Sequence, residues 1–554
     1  MEQEIDYEII NSKRIKKVEN KISKCNDQDD LIILNKYKED LLTNDYKVAS
    51  KNRAINRSKK RRKQILTLNL FKVAAMICLP IALYGLFNSF YNLIDSIICS
   101  SISAKSVTTV AALAQVKSAL SAFGAGIAGG GAIIIARYYG EGNIGKAKKN
   151  SAVLFSIILV VSGLIILVLI PLSEVIIRLA AVGANGDSIL YFRLQLVELA
   201  IVAINTMYIG LEKAKGNSKN IMVLNLLVLG VKMFFTIMFV YIFPNIIDGF
   251  KPNIFQIELS TIFGQTALLF IAIFTLFSKK NILRISIKEL SLRWKYVRPI
   301  LMLSIPIFLG KFIMSIGKVI VNTMCGSFYG LETGGHIENG VVVDSLIVGA
   351  LAVSNNLTGL CTSTTNAFEE GGSTIISQNI GAKNMKRAKR AFLANLIWVA
   401  IISILGYILI TFVFKEQLIN IFSYKPNASE EEIAKTNDLI KYIKEVYIYD
   451  SISIIGLGFN AAVLGLLYGF GQTYLSGILN FSRIGTRIIT LLICHYWIGM
   501  DYRAAGVSMG VSNVIILILS LIFMLLFIRK VNKKGYMGMY FSDPEPEIND
   551  VVME

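Results

Sequence analysis

GGGAIIIARYYGEGNIGKAKK (residues 129–149) and EGGSTIISQNIGAKNMKRAKR (370–390) align without a gap at an offset of 241. Gly130, Gly131, Gly140, Asn143, Ala147 and Lys148 all meet identical partners in the second stretch. Two shorter echoes frame this match. LPIAL around Pro80 returns as IPIFL around Pro306 at an offset of 226, and GNSK from Gly216 returns as GQTY from Gly471 at 255. Such self-similarity reads as a duplicated architecture. The offset grows because the second half carries the longer loops.

What is duplicated follows from hydropathy. Of the 554 residues 54% are hydrophobic, the mean hydropathy is +0.57, and long runs carry almost no charge. Runs of about 20 apolar residues read as membrane-spanning helices. Twelve such segments are expected, near 68–99, 107–137, 150–171, 190–211, 221–243, 257–277, 299–325, 346–377, 391–414, 441–468, 473–498 and 504–528. The expected fold is an all-α polytopic membrane protein, with twelve helices in two six-helix lobes. Six is an even number, so both halves enter the membrane from the same side and the repeats are parallel. The expected divisions are an N-terminal extension (1–67), a first lobe (68–278), a linker (279–298), a second lobe (299–530) and a tail (531–554).

The net charge of +19 bears on topology before it bears on partners. With the N-terminus placed in the cytoplasm, GEGNIGKAKKN, EKAKGNSKN, KKNILRISIKELSLRWKYVR, GAKNMKRAKR and the tail RKVNKK fall on one side and are basic. LETGGHIENGVVVD and KPNASEEEIAKTND fall on the other and are acidic or nearly neutral. That is the positive-inside pattern, with both termini cytoplasmic. It also turns the charge away from nucleic acid. The extension reads as one or two amphipathic helices ending in KNRAINRSKKRRK (51–63), a run suited to anionic lipid.

Scattered cysteines without a C-x-x-C pair, and only two histidines, argue against a zinc site or a disulfide framework. No nucleophile–base pair and no phosphate-binding G-x-x-x-x-G-K-[ST] motif is readable, which disfavours an enzyme or an ATP-driven pump.

The informative residues are charges inside the apolar segments. A charge at the bilayer centre costs about 2.5–3.5 kcal/mol on insertion scales, so it faces a cavity or a partner. Asp95 in YNLIDSI lies fifteen residues after Pro80 on one expected helix. Prolines at 80 and 306 are candidate bend points. Lys311 and Lys318 share a helix face with Ser315 between them, and Glu369 and Glu370 lie where a long lysine could reach them. These four, with Asn92 and Glu198, are the candidates for lining a substrate cavity. Glu198 and Asp450 read either as lining or as packing. Arg483 and Arg487 share a face in the eleventh segment and read either as contacts for an anionic group or as helix-end residues.

The chain resembles the MATE (multidrug and toxin extrusion) transporters, and among them the DinF-type branch. YNLIDSI (91–97) looks like that branch's first-helix signature. SAFGAGIAGGGAIIIARYYGEGNIGKAKK (121–149) resembles its second helix and the loop that follows. LSIPIFLGKFIMSIGKVIVN (303–322), NAFEEGGSTIISQNIGAKNMKRAK (366–389) and GVSMGVSNVIILILSLIFMLL (506–526) are similar to its seventh, eighth and twelfth helices. The resemblance spans about residues 68–530. It implies alternating access and efflux of drug-like molecules across the cell membrane, driven by H⁺ or Na⁺ and without a resident cofactor. Lipid-linked oligosaccharide and polysaccharide flippases share the duplicated architecture and form the alternative.

The resemblance also implies an ion-coupling site at Asp95. The family's fifth helix often carries an Asn, with an Asp or Asn four residues later. The matching stretch here puts Lys232 and Thr236 at those positions, and the sixth-helix threonine matches Thr261. This departs from the family pattern. A lysine ammonium could pair with Asp95 and take the place of Na⁺. The expectation is therefore H⁺ rather than Na⁺, with an uncoupled transporter left open.

Overall fold

The computed structural model describes residues 7–25, 27–44, 46–102, 104–179, 186–247, 250, 253–338, 341–343, 345–420 and 430–534. Side chains are not described over 91–112 or at a few positions beside the gaps.

The extension folds as three helices: α1 (Tyr7–Ile22), α2 (Gln28–Thr43) and α3 (Tyr46–Thr67). Ile15, Val18, Leu34, Tyr37, Leu41 and Ala49 close a small core between them. One helix more than expected forms because the basic run is itself helical. Lysine, arginine and alanine favour helix, and the repulsion within the run is relieved by neighbours. Lys60 Nζ lies 3.0 Å from Asp27 and 2.9 Å from Asp30, and the Arg53 guanidinium sits 4.5 Å over the Tyr37 ring.

The first half continues with α4 (Leu70–Ile102), α5 (Ala104–Glu141), α6 (Ile144–Leu164), α7 (Ser173–Leu179), α8 (Gly186–Ala214), α9 (Ser218–Ile237), α10 (Phe243–Ile246) and α11 (Ile254–Phe277). The second half holds α12 (Trp294–Tyr329), α13 (Leu346–Gly381), α14 (Met385–Ile408), α15 (Lys415–Asn420), α16 (Glu430–Asp450), α17 (Ser453–Gly469), α18 (Thr473–Leu492) and α19 (Arg503–Lys534). Among the described residues eleven helices are long and apolar enough to cross a membrane. The pair α16 and α17, bent by 47° at its break, makes a twelfth when counted as one span. At that break Ser453 Oγ donates to Asp450 Oδ1 at 2.7 Å, a local bond of the kind that competes with the helical ladder. Pro80 and Pro306 lie inside α4 and α12, which continue as helix through them.

One element departs from an all-helical reading. β1 (His336–Glu338) and β2 (Val341–Val343) pair antiparallel, with His336 opposite Val343, in the loop between α12 and α13. Three consecutive valines suit a strand better than a helix, and Asn339-Gly340 is a turn dipeptide in the sequence.

The repeat holds at the level of single bonds. The Asn143 side chain caps α6 by accepting from Lys146 N–H at 3.0 Å, and its counterpart Asn384 caps α14 by accepting from Arg387 N–H at 3.1 Å. Just before them Gly142 and Lys383 both adopt positive φ, +93° and +57°. The halves then bond to each other in matched fashion. Arg137 Nη2 (α5) donates to Gly469 O at the end of α17, at 3.1 Å. Its counterpart Gln378 (α13) donates from Nε2 to Ala214 O at the end of α8, at 2.6 Å. Both bonds satisfy carbonyls that a helix terminus leaves open. Both lie at the end of the bundle that carries the basic loops, so the lobes are closed against each other there. Farther along, Phe123 stacks on Phe308 with centroids 4.0 Å apart, and Ser89 and Ser363 share a hydrogen bond of 2.8 Å.

Candidate functional site

The first lobe surrounds a cluster of charged residues. Glu198 on α8 and Glu258 on α11 are each only 4% exposed. Lys117 on α5 reaches both: it forms an ion pair with Glu198, and its Nζ donates to Glu258 Oε1 at 3.0 Å. The two carboxyl groups are also within hydrogen-bond reach of each other. Lys232 on α9 acts on Glu198 electrostatically from the side. A glycine sets this packing. A Cβ on Gly264 would lie 2.8 Å from Val228 O and 3.5 Å from Lys232 Cβ, so α9 and α11 approach this closely only without one. Two carboxyl groups held against one ammonium leave the cluster with one more acidic than basic group.

The expected ion-coupling residues fall on the walls of the same lobe. Thr236 is 1% exposed, one turn beyond Lys232. The Thr261 hydroxyl donates to Ile257 O of its own helix at 3.2 Å. Asp95 and Asn92 lie on α4, and their side chains fall outside the described ones.

A second cluster straddles the lobes. Glu370 on α13 was expected within reach of Lys311, yet its ion-pair partner is Lys213 on α8. The reason is the contact between Gln378 and Ala214 O, which lays the end of α8 against α13. Lys311 remains an electrostatic neighbour of both Glu369 and Glu370.

The second lobe holds a third cluster. Asp450 (1% exposed) accepts from Ser354 Oγ at 2.9 Å and from Ser453 Oγ at 2.7 Å. Arg483 Nε donates to Asn513 Oδ1 at 2.8 Å, and Arg487 Nε to Ser512 Oγ at 3.3 Å. Lys318 on α12 shares their electrostatic environment. Arg483 and Arg487 therefore face the lobe interior. His495 stacks flat on Phe328 with centroids 4.1 Å apart, a packing role.

Sequence reading missed Lys117, Glu258 and Lys213. Lys117 and Glu258 are charges inside apolar runs, in AALAQVKSALSAFG and FQIELSTIFG, and the argument applied to Asp95 covers them equally.

The MatE family model matches residues 80–238 and 340–493, more than half of the chain and a similar block in each half. The chain belongs to the MatE family. Members of this family are transporters, not enzymes. Among curated proteins none matches the chain. Solved structures share the two-lobed fold. An outward-facing multidrug resistance MATE family transporter of the MOP superfamily superposes with a TM-score of 0.72 at 18% identity, covering 85% of this chain and 98% of its own. A MOP superfamily transporter from Pyrococcus furiosus, described as having a binding pocket of reverse polarity, gives 0.74 at 18% identity, with 85% and 98% covered. A MATE protein in complex with MaL6 gives 0.72 at 19% identity, with 85% and 99% covered. The MatE match begins at Pro80, so α1 to α3 lie outside it.

Proposed function

We propose that this MatE-family protein is a proton-coupled exporter of small drug-like or metabolite molecules, working by alternating access between its lobes. The observation that carries the reading is the Lys117–Glu198–Glu258 cluster, in which two buried carboxyl groups share one ammonium. With a proton on the pair, Lys117 balances a single negative charge. When the proton leaves, the second carboxylate draws Lys117 and its neighbours together. Helices α5, α8 and α11 each supply one of the three groups, so the change in charge is a change in how the lobe packs. Asp95, Lys232, Thr236 and Thr261 belong to the same coupling system in this reading. Lys232 already brings a positive charge to the site, which favours H⁺ over Na⁺.

The DinF-type branch is the proposed placement within the family. The basic-loop end faces the cytoplasm, with both termini, in the cell membrane. The conformation described, closed at that end, is then the one that opens outward. Segments 68–278 and 299–530 move as the two lobes, joined by 279–298. Lys51, Arg57 and Lys59 of the basic run are exposed and suit anionic lipid headgroups.

The test is efflux from proteoliposomes under an imposed pH or Na⁺ gradient, for wild type, Glu258→Gln and Asp95→Asn. A pH gradient drives flux in wild type, and both variants lose it. Flux driven by Na⁺ alone, or full pH-driven flux in Glu258→Gln, rejects the reading.

A further inference from the structure

The charge clusters of the two lobes occupy matched places in the repeat but carry opposite chemistry. Glu198, Lys232 and Glu258 are each followed 255 residues later by Ser453, Arg487 and Asn513, the offset that relates the Gly216 and Gly471 turns. Both acids of the first lobe are thus replaced by neutral residues in the second, while the cation is kept. The neutral replacements are bonded to each other: Asn513 Nδ2 donates to Ser453 Oγ at 2.5 Å. Further cations are added around them. A Cβ on Gly317 would lie 2.4 Å from Ile484, so α12 lies hard against α18, and Lys318 comes beside Arg483 and Arg487.

The result is three cationic side chains around one carboxylate, Asp450. Asp450 is already held by two serine hydroxyls, and neither arginine bonds to it. Among the described residues Lys318 Nζ makes no hydrogen bond or ion pair, and each arginine uses only its Nε. Among the described side chains the Nη groups and the ammonium have no acceptor. Lys318 and Arg483 are half-buried and Arg487 is buried, so the positive excess keeps access to solvent inside the lobe, where an incoming anion can pair with it. Guanidinium forks match carboxylate and phosphate oxygens two at a time. The cluster also borders the route between the lobes. Ser315, on the same face of α12 as Lys311 and Lys318, bonds to Ser118 of α5 at 3.3 Å.

We propose that Lys318, Arg483 and Arg487 form an anion-binding subsite, and that the transported molecules are small organic anions bearing a carboxylate, sulfonate or phosphate. This rests on the transporter reading for its use, but not for its test.

The experiment is equilibrium binding of two dyes, anionic fluorescein and cationic ethidium, to the full-length protein in detergent, followed by anisotropy at one pH and one ionic strength. No gradient is involved, so failure of proton coupling leaves this readout intact. Fluorescein binds to wild type and is displaced by citrate and by inorganic phosphate. Loss of one charge-assisted bond weakens fluorescein by about 10- to 100-fold in Arg483→Gln, Arg487→Gln or Lys318→Gln. Ethidium binding does not weaken in these variants. Arg487→Lys, which keeps the charge, recovers part of the loss. Citrate raises the melting temperature of wild type more than chloride does at equal ionic strength, a readout that needs no variant. Wild type that prefers ethidium, or fluorescein affinity equal in wild type and in folded glutamine variants, overturns the proposal. So does equal stabilisation by citrate and chloride.

Discussion

Gly140 and Gly381, 241 residues apart in the chain, seal the lobes against each other from opposite sides of one helix crossing. A Cβ on Gly140 would stand 2.2 Å from Gln378 O, and one on Gly381 would stand 2.0 Å from Arg137 O. Gln378 and Arg137 are themselves counterparts in the repeat, so each lobe presents the same glycine to the other's matched residue. The side chains of those residues then bond to helix ends across the interface. Glycines of the stretch that revealed the duplication therefore form one of the places where the duplicated halves touch.

Adding a methyl group at this crossing tests the contact directly. Gly140→Ala and Gly381→Ala force backbone apart where nothing flexible can yield, an overpacking cost of about 1–3 kcal/mol each. The cost falls on the closed state alone, because the crossing exists only when the lobes meet at this end. Both variants are expected to lower the melting temperature in detergent. Both also speed amide exchange over 137–142 and 379–384. Wild-type exchange there would mean that the lobes are not in contact at these glycines.

The cluster in the first lobe predicts a rescue. Lys117→Met leaves Glu198 and Glu258 facing each other with their shared ammonium gone, a loss of about 3–5 kcal/mol when one partner of a buried pair is removed. Adding Glu198→Gln and Glu258→Gln removes the stranded charges. The triple variant is expected to regain most of the melting temperature lost by Lys117→Met, while pH-driven flux stays absent. A triple variant no more stable than the single one would show that Lys117 acts by packing rather than by charge.

The extension carries a pH dependence whose sign follows from its ion pairs. The hydrogen bond from Lys60, helped by the Asp30 backbone N–H, holds the Asp27 carboxyl below its usual range. Burial pulls the Lys60 ammonium down, but its bonds to Asp30 and Asp27 outweigh this and hold it above its usual range. The Asp27 contribution is present above the ordinary carboxylate range and is lost as pH falls through the lowered value. The Lys60 contribution is complete below the ordinary lysine value and is lost as pH rises through the raised one. Docking of α2 on α3 should thus be firmest between about pH 5 and pH 10. A fluorophore on Cys25, beside Asp27, reports it: its anisotropy drops on acidification. In Asp27→Asn, which can still cap α2, that drop is reduced. An acid transition of the same size in both proteins would assign it to other groups.

How much of this was legible in the sequence depends on the kind of residue. The spans were readable because about twenty apolar residues in a row have few other uses. The duplication was readable because glycines at a tight crossing and asparagines at helix caps cannot be exchanged freely, so Gly140, Gly381, Asn143 and Asn384 kept their identity. Partnerships between charges were not readable. Glu370 lies on the same lobe as Lys311, and nothing in spacing alone says that Lys213 of the other lobe arrives first. The bend after Asp450 and the strand pair at Val341–Val343 were likewise hidden, because each depends on a few local bonds inside or beside a strongly apolar pattern.

The extension also touches both lobes, and this has a consequence for transport. Arg62 on α3 donates to Gly140 O at 3.0 Å, and Ser58 and Tyr139 share a hydrogen bond of 2.6 Å, both contacts with the first lobe. From the second lobe Arg387 donates to Ile65 O at 3.1 Å and also to Leu68 O. Separating the lobes at this end must break one set or the other. Net hydrogen bonds are worth about 0.5–1.5 kcal/mol each, so removing a set of two shifts the balance between closed and open by about 5-fold to 100-fold. Arg387→Ala and deletion of residues 2–68 are both expected to raise the fraction open at the basic-loop end. Spin labels at Lys148 and Lys389, matched positions on the two lobes, measure it as a longer distance component. The two changes combined should add little beyond the larger one, because they break the same bridge. A distance distribution unchanged by either change would mean that α3 rests on the transporter without restraining it.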